Sequence, residues 1–208
     1  GRDEHGVTLP LYFRAFGDYK NPIYIYSVVP LVWLFGPTQQ TVRLASALWV
    51  LGAVGVFILL MHRAKSPHFV SAIAALLAVT NPWVVQLSRV AFEVASFPIF
   101  LFLSALFLYP LLQEKVSGKK SLWLALGFGL SLGVLFYTYT AARLLSPLLL
   151  TSGAVLIFWK YRWKAALLAM VAWAACFIPL LLSDSFQTGA LLARYSVVGL
   201  QNETTGVW

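Results

Sequence analysis

Charge is scarce in this sequence. Asp, Glu, Lys and Arg make up 11% of 208 residues, where soluble chains carry about 25%. That excludes an ordinary water-soluble enzyme and a disordered chain. Cysteine is nearly absent, and the one residue, Cys176, sits inside an apolar run, so no disulfide framework can form within the chain. Acids are rarer than bases, 7 against 15. The bases are scattered between apolar runs rather than gathered into a stripe, so a net charge of +8 does not point to nucleic acid. The apolar runs show no polar-apolar alternation, which excludes a transmembrane β-barrel. Glycine-rich nucleotide loops, low-complexity tracts and solenoid periods are also missing.

What the chain has in abundance is hydrophobic length. Hydrophobic residues are 60% of the total, with a mean hydropathy of +0.80. A bilayer core of about 30 Å takes about 20 apolar residues in a helix. Six runs meet or approach that length, at residues 41–61, 69–87, 94–112, 122–142, 144–159 and 165–182. The fifth is short and contains Pro147 near its start. An all-α, polytopic transmembrane bundle follows. The run IYIYSVVPLVWLF (23–35) is too short to span and is interrupted by Pro30; its aromatics suit a helix lying at the interface. The expected organisation is an outer loop with interfacial helices over 1–40, a bundle over 41–182 and the start of a further outer loop over 183–208. The chain opens in a polar loop without a methionine and closes in mid-loop, as expected of a fragment of a longer membrane protein.

Charge at the joints gives orientation. Joints 62–68, 113–121 and 160–164 carry eight Lys or Arg, whereas the alternate joints carry only Arg89 and Arg143. The positive-inside rule places the first set in the cytoplasm. Asp3, Glu4, Asp18, Glu93, Asp184 and Glu203 then face outward, leaving Glu114 inside. Chemistry is therefore expected on the outer face.

Three outward clusters could carry it. In GRDEHG (1–6), Asp3, Glu4 and His5 offer a general base or a divalent-metal ligand set, and Lys20 in FGDYKNPIYIY (16–26) offers an anion contact. A solvated charged loop accounts for the same residues. In SRVAFEV (88–94), Arg89 and Glu93 are spaced i, i+4, so on a helix they share a face and can pair. A carboxylate so close to hydrocarbon is costly, which suggests a group facing the bundle interior; a self-neutralising pair is the plainer account. In LFYTYTAARLLSP (135–147), Tyr137, Tyr139 and Arg143 suit either a phosphate site or an aromatic belt with one snorkelling cation. His62 and His68 read as loop residues, and Asn202-Glu203-Thr204 matches a glycosylation sequon.

In chain order, DE-H-G, FGDYKNPIYIY, FG with VRLASAL, NPWVVQLSRVAFE and YTYTAARLLSP strongly resemble bacterial membrane glycosyltransferases of the GT-C superfamily. These are the relatives of protein O-mannosyltransferases and of the lipid A aminoarabinose transferases. The likeness runs by motif from Asp3 to about Pro147, then by hydropathy alone. It implies Asp3 as the catalytic base, Glu4 as its neighbour, and Glu93 as a second outer acid. It further implies Lys20, Arg89 and Arg143 as contacts to a lipid-linked phosphate, with His5, Tyr24, Tyr137 and Tyr139 lining the substrate site. The implied partners are a polyprenyl-phosphate sugar donor, a protein, lipid or glycan acceptor, and the bilayer itself, with no nucleic acid. No cofactor is required, although a divalent metal near Asp3 is compatible. The implied location is a bacterial cytoplasmic membrane with the active site outside. One departure is Gly6, where the aminoarabinose transferases carry Arg, which favours the mannosyltransferase-like branch. A transporter or flippase for a lipid-linked sugar is the rival expectation; it would place polar groups near mid-membrane in broken helices.

Overall fold

A computed structural model describes residues 6–15, 18–113, 116, 118–160 and 162–183. The chain divides into two compact units, one formed by Gly1–Pro22 with Phe177–Trp208 and the other by Ile23–Cys176.

In the first unit, strands β1 (Phe13–Ala15) and β2 (Asp18–Lys20) form an antiparallel pair with Phe13 opposite Lys20. This hairpin is not among the sequence expectations, which placed only helices in the outer loop. Gly17, between two short β-prone stretches, was the available signal.

The second unit is the helical bundle; the short helix Ile178–Leu181 that follows it in the chain belongs to the first unit. Helix α1 (Pro22–Phe35) keeps Pro30 within it and stops at Gly36, whose positive φ of 79° lets its amide reach back to the Val32 carbonyl at 2.9 Å. Thr38 then caps α2 (Gln39–Arg63), its hydroxyl oxygen accepting from the Thr41 amide at 3.2 Å. The second run, 69–87, is broken. Helix α3 (His68–Thr80) and α4 (Pro82–Arg89) meet at a 55° bend. Pro82 has no amide hydrogen to continue the ladder, and Asn81 restarts it by accepting from the Trp83 amide at 2.9 Å. A 3-10 turn, Glu93–Ser96, leads into α5 (Phe97–Leu112), followed by α6 (Gly118–Leu135), α7 (Ala142–Trp159), α8 (Trp163–Ala175) and the short α9 (Ile178–Leu181).

Among the described residues, four segments are long and apolar enough to cross a membrane: α2, the turn with α5 (Glu93–Leu112), α7, and Trp163–Leu181; the bent α3–α4 pair, taken as one span, makes a fifth. Helix α6 carries Lys119 and Lys120 in its first turn and is the central, most buried helix, packed against α5, α7 and α8. Large apolar side chains point outward, with Trp33 83%, Phe69 75% and Leu144 69% exposed. Water would penalise that surface and hydrocarbon would not. The protein is a multi-pass helical membrane protein.

Packing in the bundle rests on small residues. Gly129 and Gly133, one turn apart on α6, face Ala169, Ala172 and Cys176 on the α8 side; a Cβ on Gly129 would overlap the Ala169 carbonyl oxygen. Phe128 fills the space over Gly153 of α7. Ser146 of α7 donates to the Leu132 carbonyl of α6 at 2.6 Å and accepts from the Trp173 indole of α8 at 2.8 Å, so one hydroxyl joins three helices. Gly129→Ala is expected to lower stability by roughly 1–3 kcal/mol through overpacking. Gly55→Ala, where a Cβ meets open space, should raise it by about 0.5–1 kcal/mol. Reversible unfolding in mixed micelles measures both, and equal effects would contradict this packing.

Candidate functional site

The bundle has two chemically different ends. At one, Arg162 donates to the carbonyls of Leu111 at 2.8 Å and Gln113 at 3.0 Å, so the α5–α6 and α7–α8 joints lie together. At the other, the rings of Phe92 and Tyr139 meet edge-on with centroids 6.4 Å apart, joining the α4–α5 connection to the α6–α7 turn. Glu93, Tyr139 and Arg143 therefore share one end, away from the basic joints.

Arg89 and Glu93 do not share a helical face. Helix α4 stops at Arg89, Val90 and Phe92 are extended, and Glu93 begins a new turn. Arg89 is exposed and Glu93 is 5% exposed. The i, i+4 reading fails because Ser46 draws the Val90 carbonyl toward α2, donating to it at 2.8 Å. The turn holds its own geometry, the Ser96 hydroxyl donating to the Glu93 carbonyl at 2.8 Å.

Tyr24 supports this arrangement from behind. Its hydroxyl lies 2.9 Å from the Val42 carbonyl and 2.7 Å from Ser46 Oγ, and its ring packs with Ala45 and Ala95. Ser46 also donates to Val90, so Tyr24 and Ser46 have two protons for three contacts, and the Tyr24 proton is shared between Val42 and Ser46. Burial raises the phenol pKa above its usual value, the Ser46 bond offsetting part of this, so Tyr24 remains a donor at ordinary pH. Trp49 donates to Ser27 at 2.8 Å, a second tie between α1 and α2. Ser46 had no role in the sequence reading; its solitary hydroxyl within the apolar stretch LASAL was the signal.

Arg143 stands in the first turn of α7 and is buried. A cation there gains nothing from the helix dipole, which favours anions at that end. Tyr139 is half-buried and lines an apolar groove of about 650 Å³ together with Trp83, Val94, Phe97, Leu144 and Leu148. Val94 follows Glu93 and Leu144 follows Arg143, so a buried acid and a buried base each adjoin a groove residue. Tyr137 is placed differently: its buried hydroxyl donates to the Cys176 carbonyl at 2.9 Å, tying the end of α6 to the end of α8.

Lys20 ends strand β2 in the other unit and is half-buried. Asp3, Glu4 and His5 lie outside the described residues, as does the 202–204 sequon. His62 and His68 stack across their joint with centroids 6.3 Å apart. Among the described residues no cluster of His, Cys, Asp or Glu suited to a metal is found. No family model, curated protein or solved structure matches the chain.

Removing the Tyr24 hydroxyl (Tyr24→Phe) should cost about 1 kcal/mol and Ser46→Ala about 1–2 kcal/mol, because the latter removes both the partner of Tyr24 and the donor to the Val90 carbonyl. The double variant should cost less than the sum. Additive losses in unfolding experiments would show that the two hydroxyls act separately.

Proposed function

We propose that this chain belongs to a glycosyltransferase of the GT-C type. It would transfer a sugar from a polyprenyl-phosphate donor to an acceptor hydroxyl at the outer face of a bacterial cytoplasmic membrane. One observation carries the reading: buried Glu93 and buried Arg143 at the same end of the bundle, each next to a residue lining an apolar groove. Such a substrate combines those needs. Its prenyl tail seeks apolar surface, its phosphate seeks a cation, and the attacking hydroxyl seeks a carboxylate. The groove walls suit the tail, the guanidinium of Arg143 suits the phosphate, and Glu93 supplies a carboxylate near the headgroup level.

In this reading the acceptor oxygen attacks the anomeric carbon, its proton passes to a carboxylate, and the bond to the phosphate oxygen breaks. The departing polyprenyl phosphate retains the negative charge that Arg143 would stabilise. Asp3 is the base by resemblance and Glu93 the second acid. Direct transfer inverts the anomeric configuration. Protein, lipid and glycan acceptors all fit.

A transporter or flippase is favoured by one specific observation, the 55° break between α3 and α4. The break, however, bears only Asn81 and Pro82, and Asn81 is occupied in capping α4. No charged side chain lies at it, which leaves the enzyme reading ahead.

Membranes containing the protein, supplied with radiolabelled polyprenyl-phosphate sugars, should yield a labelled glycosidic product. Glu93→Gln should lower the rate by about a hundredfold or more, the scale of general acid-base catalysis. Arg143→Gln should raise the donor KM at least tenfold, as expected for a lost charge-assisted hydrogen bond. Undiminished transfer by Glu93→Gln would remove that residue from the reaction. Label crossing sealed vesicles without a new glycosidic bond would favour the transporter.

A further inference from the structure

The basic end of the bundle carries a hollow of its own, away from the groove beside Glu93 and Arg143. A concavity of about 390 Å³ lies between the α5–α6 and α7–α8 joints, and Lys160, Arg162 and Lys164 line it with Ser121. Three cations within five residues converge on one hollow. Helices α6 and α8 both begin there, and neither has an acid in its first turn. Instead Lys119 and Lys120 sit in the first turn of α6 and Lys164 in that of α8. Helix stability favours the opposite sign at these positions, so the electrostatics of the joint suit an external anion. The one acid in these joints, Glu114, lies outside the described residues.

Arg162 also keeps the hollow in shape. Its fork on Leu111 and Gln113 satisfies carbonyls at the end of α5 and fixes the floor between the two joints. The Ser121 hydroxyl proton goes to the Gly118 carbonyl at 2.9 Å. The mobile donors are the exposed Lys160 and Lys164, the latter with its ammonium 5.5 Å from the Trp163 ring centroid.

Three tryptophans fix the depth of this site. Trp123, Trp159 and Trp163 lie within about a turn of the helix ends and are 70%, 71% and 56% exposed. Exposed indoles in a membrane protein settle at the boundary between hydrocarbon and headgroups. The cationic hollow therefore lies level with lipid phosphates. We propose that it binds the headgroup of an anionic glycerophospholipid from the leaflet at this end, its phosphate between Lys160 and Lys164 and its acyl chains against the exposed indoles. The inference rests only on the membrane assignment.

The test is native mass spectrometry of the detergent-solubilised protein titrated with phosphatidylglycerol or phosphatidylcholine of matched chains. The wild-type protein should retain phosphatidylglycerol in preference. The double variant Lys160→Gln/Lys164→Gln should bind it about thirty-fold more weakly, at the usual contribution of a lysine near an anionic headgroup. The charge-preserving Lys160→Arg/Lys164→Arg should retain binding, and Lys65→Gln, at a different basic joint, should leave it unchanged. Unfolding midpoints matched to wild type establish that the variants fold. Equal affinity for the two lipids, equal loss in Lys65→Gln, or displacement by inorganic phosphate at the same concentration as by lipid would each overturn the proposal.

Discussion

The structure depends on how closely α6 and α8 approach one another. In lipid, apolar side chains gain nothing by leaving solvent for a neighbouring helix, so association relies on backbone proximity, dispersion and hydrogen bonds. Gly129 and Gly133 supply that proximity by presenting no side chain where the α8 backbone passes. The alanines at 165, 169 and 172 are buried on the other side of the seam. Once these helices are in contact, Ser146 can reach both Leu132 and Trp173, and Tyr137 can reach the Cys176 carbonyl. The short polar contacts thus depend on the apolar fit and then make it specific.

The same economy operates at the end bearing Glu93. The carboxylate is not positioned by a charged partner on its own helix. The backbone sets where the residue stands: α4 ends, Val90 is drawn to Ser46, and a 3-10 turn begins. Tyr24 and Ala95 pack behind the turn. The result is an acid in a buried place beside an apolar groove, achieved with hydroxyls and carbonyls that are easily satisfied within a membrane protein. At the opposite end the arrangement is reversed, with cations crowded at the positive ends of two helices and tryptophans around them.

Much of this was legible from residue types alone. The run 41–61 became α2, 39–63, and the run 144–159 became α7, 142–159, because a long apolar run between charged joints leaves little freedom. The segment 23–35, expected as a short helix, is α1. Other features were hidden by local competition. The fourth run was read through to residue 142, yet α6 stops at Leu135, where Thr138 turns its hydroxyl back to the Leu135 carbonyl at 2.6 Å. The Asn81–Pro82 break lay inside a stretch long enough to be read as one span. Arg89 and Glu93 had helical spacing but no helix between them. The site is legible as a set of candidates: Glu93, Tyr139 and Arg143 come to one end, Tyr137 and Tyr24 are drawn into holding helices together, and Asp3, Glu4 and His5 lie outside the described residues.

The bend in the second run has a mechanical consequence. Val84 and Leu87 on α4, with Pro98 on α5, border both the 650 Å³ groove and a second apolar space of about 250 Å³ against α2. Helix α4 is thus a partition between two compartments, suspended from a joint where the backbone ladder is interrupted. A tilt of this partition about Asn81 would enlarge one space at the expense of the other.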